Sequence, residues 1–318
     1  MNKWRNTVQK KHSKICVIGA GYVGATTAFA IASQKIVSEL VLIDLDKNKA
    51  EGEALDISHG MLFIENMQIR HGDYTDVKDS DIIIITAGVG RKPGESRLDL
   101  ATKNISIIEK ITDSIMQYYN GGILMMVANP VDILTYIVAK RSGLPTNMVI
   151  GTGTILDSAR FRYLLSRLIH ADIKNVHGFI MGEHGDSQFA VWSSTRIAGM
   201  PLLDYCKRYN ILLDKAKIEQ EVMQSGATVI QKKGVTNYAI SLLVAELCNT
   251  ILKNKYSIYN VSSMLDQYCG ISDVCISVPT VIGLNGVEKH IELDFTTEEL
   301  MKLRSSADRM KDFLKIYR

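Results

Sequence analysis

Short apolar runs alternate along the first half of this chain with longer stretches whose apolar positions recur every three or four residues. Lys14 to Gly19 is a β-branched run, Leu40-Val41-Leu42-Ile43-Asp44 is a second, and others lie at Gln68 to His71, Asp81 to Thr86 and Gly122 to Val127. Runs this short, bounded by turn residues, suit buried strands. Between them the spacing predicts helices over Ala25 to Gln34, Lys47 to His59 and Leu98 to Tyr119. Such alternation predicts an α/β fold over 14–145, a parallel, doubly wound sheet with helices on both faces.

Beyond roughly residue 145 the order changes. A helix of Leu156 to His170 precedes strands around Val176 to Met181 and Phe189 to Ser193. Helices over Leu213 to Lys232 and Tyr238 to Lys253 follow, then strands near Ser257 to Met264, Val274 to Ile282 and Val287 to Glu292, and a charged helix from Thr297. We expect a mixed α+β second domain over 146–318. No Gly/Ser/Pro-rich linker separates the halves, and no internal repeat is seen.

Composition narrows the class. The 318 residues are 46% hydrophobic and 22% charged, with mean hydropathy near zero, which favours a soluble globular protein over a disordered or membrane one. No apolar run approaches the roughly 18 residues of a spanning helix. Lys3, Arg5, Lys10, Lys11 and Lys14 precede any acid; the 37 cations less these five leave 32 against 34 acids, so residues 1–13 form a basic arm on an otherwise faintly acidic chain. A nucleic-acid face is therefore not expected. The arm lacks the apolar segment of a secretory signal and reads as a disordered or subunit-contacting tail. Five cysteines, an odd number without C-x-x-C spacing, fit reduced thiols and a cytoplasmic compartment, and Cys16 falls inside a strand run. No metal-ligand spacing occurs.

Candidate chemistry begins at Gly19-Ala20-Gly21-Tyr22-Val23-Gly24, set between strand and helix, with Asp44 closing the next strand twenty residues after Gly24. Glycines at this spacing let a pyrophosphate approach a helix N-terminus, and the acid suits the ribose hydroxyls of NAD while repelling the extra phosphate of NADP. Thr86-Ala87-Gly88 and Ala128-Asn129-Pro130 end two further strands, so Gly88 and Asn129 lie at the expected ligand crevice; a plain Asn-Pro turn is the alternative for Asn129.

His184, in Met181-Gly182-Glu183-His184-Gly185-Asp186-Ser187, titrates near neutral pH where glycines allow close approach to a ligand; a surface or core histidine is the alternative. Asp157 and Arg160 share a helix face. The acid could orient an imidazole and the guanidinium could clamp a carboxylate, or the two could be a solvated pair. Val89-Gly90-Arg91-Lys92-Pro93-Gly94-Glu95-Ser96-Arg97 reads as a mobile loop that could close over ligands, or as a solvated connection.

Together and in order, the glycine motif, Pro93-Gly94-Glu95-Ser96-Arg97, Asn129-Pro130-Val131-Asp132, Ile155-Leu156-Asp157-Ser158-Ala159-Arg160-Phe161-Arg162 and Gly182-Glu183-His184-Gly185-Asp186-Ser187 resemble the L-lactate/malate dehydrogenase family, its lactate branch in particular, from Lys14 to the C-terminus. The resemblance implies a Rossmann-type NAD domain with a C-terminal substrate domain, and an NAD-dependent L-2-hydroxyacid dehydrogenase. It makes His184 the proton donor to a 2-keto acid, Asp157 its orienting partner, and Arg160 the carboxylate clamp. Arg97 would stabilise the developing alkoxide, with Asn129 and Thr236 lining the substrate pocket. Gly19, Gly21, Tyr22, Val23, Gly24, Asp44, Gly88 and Asn129 would hold NAD.

The substrate is split between two readings. Arg91 stands where the lactate branch usually carries Gln and the malate branch Arg, and an arginine closed over a methyl group would be buried unpaired, so it favours oxaloacetate. Glu95, Thr236 and Ser187-Gln188-Phe189-Ala190-Val191-Trp192-Ser193 match the lactate branch. So do Arg162 and His177, at the positions where similar bacterial enzymes bind fructose 1,6-bisphosphate between subunits of a homotetramer. Pyruvate and L-lactate are the favoured pair, with malate or a broader 2-hydroxyacid as alternatives. Tyr136-Ile137-Val138-Ala139-Lys140 also fits the Y-x-x-x-K of short-chain dehydrogenases, but no suitable serine precedes it, and Tyr136 is read as helix packing. A non-catalytic NAD-binding or structural protein is the alternative from another class, and the set Arg97, Asp157, Arg160 and His184 speaks against it.

Overall fold

The computed structural model describes residues 12–65, 67–90 and 97–315. The arm to residue 11 and residues 91–96, with the expectations placed on Arg91 and Glu95, lie outside the described residues, as does the side chain of Arg97.

The apolar runs of the first half become strands and the periodic stretches become helices: β1 (Lys14–Ile18), α1 (Tyr22–Ser33), β2 (Glu39–Ile43), α2 (Lys47–His59), β3 (Gln68–His71), β4 (Ile82–Ile85), α3 (Arg97–Met116) and β5 (Ile123–Met126). Helix α1 starts earlier than its apolar pattern because Gly21 takes the N-cap position and the glycine turn feeds straight into the helix. Next come α4 (Val131–Ser142) and β6 (Val149–Gly151). Strand β6 went unread because three residues carry no detectable period.

In the second half, α5 (Ile155–Ile169) leads to a loop-rich segment. There the two expected strands shrink to β7 (Val176–His177), β8 (Ile180–Met181) and β9 (Phe189–Ala190), and Trp192–Ser194 is a 3-10 turn instead of strand. Residues here pair mainly with side chains, not with a long ladder. The pairs β10 (Arg196–Ile197) and β11 (Met200–Pro201), then α6 (Leu202–Arg208), α7 (Lys215–Lys233) and α8 (Tyr238–Leu252) follow, before β12 (Ser257–Leu265), β13 (Val274–Gly283), β14 (Gly286–His290) and α9 (Thr297–Lys315).

Among the described residues, nine strands share one sheet in the order β14-β13-β12-β6-β5-β4-β1-β2-β3. The six from β3 to β6 run parallel, and β12 joins antiparallel through Ser262 opposite Gly151. The last three strands of the chain thus continue the sheet begun by the first half. Strand order reverses between β1 and β4, and a crevice forms outside their carboxyl ends.

The inner strands read as unbroken apolar runs because both faces are covered. Cys16, Ile18, Ile83 and Ile85 pack on one side, and Ile15, Val17, Ile82 and Ile84 on the other. A separate core gathers Phe161, Leu165, Ile169, Val176, Ile218 and Val222 under α5 and α7. Helix α8 lies along α1, where Thr27 donates to Ser241 at 3.1 Å and Asn237 donates to Thr26 at 2.9 Å. This contact brings Thr236, just before α8, to the edge of the glycine turn's helix. All five cysteines are free thiols, and Tyr136 is buried on α4 with its hydroxyl donating to Asp273 at 3.2 Å. No helix among the described residues is long and apolar enough to cross a membrane.

Candidate active site

The three glycines after β1 do different work. Gly19 has φ +101°, and a Cβ there would meet the Ala87 nitrogen at 2.7 Å and Thr86 Oγ1 at 2.9 Å. At Gly24 a Cβ would collide with the Gly19 carbonyl oxygen and come within 2.8 Å of Thr86 Oγ1. At Gly21 it would meet nothing within 4 Å. The first and third glycines therefore let backbone pack on backbone, while the second leaves open space at the head of α1, whose first-turn amides no side chain caps.

Asp44 closes the turn from β2. Its Oδ2 accepts from the Ala20 amide at 2.6 Å and its Oδ1 from the Asp46 amide at 3.0 Å. A cleft of about 590 Å³ opens here, lined by Gly19, Gly21, Asp44, Tyr74, Thr86 and Gly88 among others. Open space over an uncapped helix N-terminus, a carboxylate at the next strand end and a cleft of this size fit a dinucleotide. Lys49 and Lys110 also line the cleft; neither was singled out from sequence, since lone lysines on helices are usually solvated. Thr86 donates to the Gly19 carbonyl at 2.8 Å and so holds the turn in place. Tyr22 projects into solvent on the first turn of α1, and the Val23 carbonyl accepts from Ser241 at 3.3 Å; both fall outside the cleft lining.

The second cluster forms around α5. Asp157 is 2% exposed, which excludes a solvated Asp-Arg pair. Its Oδ2 lies 2.6 Å from His184 Nδ1 and its Oδ1 accepts from Arg160 at 3.1 Å. Burial alone would raise the Asp157 carboxyl, but the His184 and Arg160 charges more than offset it and hold it below the usual range. The Asp157 charge in turn raises His184 to about 9 against the effect of burial. The imidazole is therefore a stable proton store at neutral pH, and with Nδ1 engaged, Nε2 is the nitrogen able to deliver the proton. The Arg160 guanidinium keeps donors beyond the one given to Asp157. Gly226 on α7 leaves room beside it, since a Cβ there would lie 3.7 Å from the guanidinium.

The loop carrying His184 is pinned from several elements. Gly182, at φ +91°, exchanges both backbone hydrogen bonds with Ser277 on β13. The Glu183 amide donates to Ser306 Oγ on α9 at 2.8 Å, and the His184 amide donates to Asp132 Oδ2 on α4 at 2.7 Å. Asn104, 1% exposed on α3, accepts from the Val89 amide at 2.8 Å and donates to the Val89 and Asn129 carbonyls at 3.1 and 2.7 Å. It thereby ties the chain leading toward Arg97 to the Asn129 turn, where the peptide to Pro130 is cis. Asn104 and Ser306 were not recognised from sequence, and Asp132 was read only as part of a motif without a role, because a single polar residue within a helix has no period that marks it.

Arg162 is half-buried, its Nε has no hydrogen-bond partner among the described residues, and burial lowers its proton affinity. His177 is exposed on β7, opposite Arg196.

Comparison with known proteins agrees with this geometry. Residues 13–151 match the lactate/malate dehydrogenase NAD binding domain, and residues 154–316 match the lactate/malate dehydrogenase alpha/beta C-terminal domain. The chain is 46% identical over 305 residues to the L-lactate dehydrogenase of Acetivibrio thermocellus, covering 95% of this chain and 96% of that one. It is 47% identical over 308 residues to L-lactate dehydrogenase 1 of Clostridium acetobutylicum, covering 96% and 98%. The crystal structure of the minor L-lactate dehydrogenase from Enterococcus mundtii superposes with a TM-score of 0.93 at 37% identity, over 96% of this chain and 99% of that one. With a cleft at the glycine turn that fits a dinucleotide and its His184–Asp157–Arg160 cluster, this chain belongs to the lactate/malate dehydrogenase family.

Proposed function

We propose that this protein is an NAD-dependent L-lactate dehydrogenase that interconverts pyruvate and L-lactate. One observation carries the chemistry: a single buried carboxylate, Asp157, engages both the proton carrier His184 and the cation Arg160. The lactate assignment is supported by relatives named L-lactate dehydrogenase at 46–47% identity over nearly the whole chain.

NAD, held at Gly19, Gly21, Gly24 and Asp44 with Gly88 and Asn129 at the crevice edge, supplies the hydride for the carbonyl carbon when bound in reduced form. Arg160 clamps the substrate carboxylate with its remaining donors. His184 gives its Nε2 proton to the carbonyl oxygen and is left neutral; in the oxidative direction it takes that proton back. Asp157 stays ionised throughout, fixing the tautomer and stabilising the imidazolium. Arg97, the first residue of α3, stabilises negative charge on the carbonyl oxygen, and Thr236 lines the pocket. NADH oxidation with a panel of 2-keto acids tests the assignment, and absence of turnover on every acid would leave a non-catalytic NAD-binding protein.

Arg91 keeps oxaloacetate as the second reading. We also propose a cytoplasmic homotetramer in which Arg162 and His177 receive fructose 1,6-bisphosphate. An arginine half-buried without an Nε partner is costly alone and is relieved by an anion. The proposed division keeps 14–145 for cofactor and 146–318 for substrate, although β6 extends the parallel sheet past residue 145.

A further inference from the structure

Asp132 is a carboxylate that the mechanism above does not use. It sits in the first turn of α4, 3% exposed, and its Oδ2 accepts the main-chain amide of His184 at 2.7 Å from 52 residues away. Its other oxygen, Oδ1, and the Ser262 hydroxyl on β12 are both buried and neither meets hydrogen-bond geometry with any described residue, so Ser262 acts on the carboxylate only as a nearby hydroxyl. A half-satisfied buried carboxylate costs stability, since its charge has left water for incomplete pairing. An asparagine would accept the same amide without that cost. The negative charge, not the hydrogen bond alone, therefore calls for an explanation.

We propose that Asp132 is a positioning residue for proton transfer, fixing the main chain of His184 and setting a second carboxylate against the residue that carries the proton. His184 is then held twice: Asp157 fixes the ring through Nδ1, and Asp132 fixes the backbone from α4. The two carboxylates differ in setting. Asp157 is held low by His184 and Arg160, whereas burial pushes Asp132 up to about 6, with Ser262 and the His184 amide and charge acting the other way. The Asp132 charge adds to that of Asp157 in raising His184, and Arg160 opposes both. The remaining ionisable groups that act on Asp132 or feel it are Glu183 on the same loop, which raises it further, and Cys275 on β13, whose buried thiol it pushes up.

This inference rests on the proposed role of His184 but is tested without turnover. The imidazole of His184 is titrated by NMR in the native protein and in Asp132→Asn, with His184→Gln identifying its resonance. Asp132→Asn keeps an acceptor for the amide and removes the charge, so the His184 midpoint should fall by about one pH unit. In the native protein the His184 main-chain amide should exchange slowly with solvent because Asp132 accepts it, a readout available even if the variant does not fold. The limb of the pH profile of kcat/KM for 2-keto acid reduction should move with the midpoint, while NADH affinity by fluorescence stays unchanged. An unmoved His184 midpoint in a folded variant, or a rapidly exchanging His184 main-chain amide in the native protein, overturns the role of Asp132. A shifted midpoint in a protein that reduces no 2-keto acid upholds Asp132 and overturns the dehydrogenase reading instead.

Discussion

His184 Nδ1 and Asp157 Oδ2 stand 2.6 Å apart across 27 residues of chain, one on a glycine-flanked loop and the other buried in the first turn of α5. The contact decides the direction of pH dependence. His184 is raised to about 9, so reductive kcat/KM, which needs the protonated ring, should hold through neutrality and fall as pH passes 9, while the oxidative rate rises over the same range. Asp157→Asn should move that fall toward the ordinary histidine value of about 6.5 and lower kcat by roughly 100-fold or more. A reductive profile unaltered in Asp157→Asn would show that the pair does not control the proton.

The same contact links pH to stability. A proton affinity higher in the folded than in the unfolded state stabilises the fold fully below about pH 6.5, and that contribution is lost as pH rises through 9. Thermal melts of His184→Gln against the native protein should therefore converge above pH 9 and diverge near pH 6.

Two glycines three residues apart should fail differently. Gly24→Ala, which drives a Cβ into the Gly19 carbonyl, should cost about 1–3 kcal/mol of stability. Gly21→Ala meets no neighbour within 4 Å and should fold normally, yet weaken NADH binding by filling the space over the head of α1. Denaturant melts and NADH fluorescence titrations separate the two effects. Equal melts for both variants would contradict the packing role of Gly24.

Asn104→Ala should take the side-chain partner from the Val89 amide and from the Val89 and Asn129 carbonyls; Val89 and Asn129 are exposed, water replaces part of what is lost, and the cost should be about 1–2 kcal/mol. If Asn104 also sets the base of the chain leading to Arg97, the KM for the keto acid should rise in the folded variant. A change in melting temperature alone would limit Asn104 to a structural part.

Pyruvate should exceed oxaloacetate in kcat/KM, and Arg91→Gln should reduce oxaloacetate turnover relative to pyruvate by about 10–100-fold, the worth of one charge-assisted contact. Steady-state kinetics on both acids measure this directly. An unchanged ratio would mean that Arg91 points away from the substrate.

Fructose 1,6-bisphosphate should lower the KM for pyruvate about fivefold or more in the native protein and have no effect in Arg162→Gln. Sedimentation run in parallel tests whether the effector favours a tetramer. No response in the native protein removes the proposed site.

Much of this was legible in the residues. The parallel strands were readable because burial on both faces demands unbroken apolar runs, and α2 and β3 begin and end where the pattern places them. The glycine turn and Asp44 were readable because close backbone approach leaves few residue choices. Asp157 and Arg160 could be put on one face because a helix repeats every 3.6 residues.

What the chain alone could not decide is which distant elements meet. Strand β6 is too short to leave a period, and β12 to β14, expected in the second domain, join the sheet of the first half through the Gly151–Ser262 pairing. Asn104, Asp132 and Ser306 are unremarkable polar residues in helices until folding sets them against Val89, His184 and Glu183. Local sequence determined most of the elements and the glycine turn, because these depend on backbone geometry within a few residues; the roles of His184, Asp157, Arg160 and Arg97 came from five ordered motifs that resemble a family. Tertiary structure alone decided the charge environment of His184, because that depends on desolvation and on carboxylates brought from α4 and α5, neither of which has a local signature.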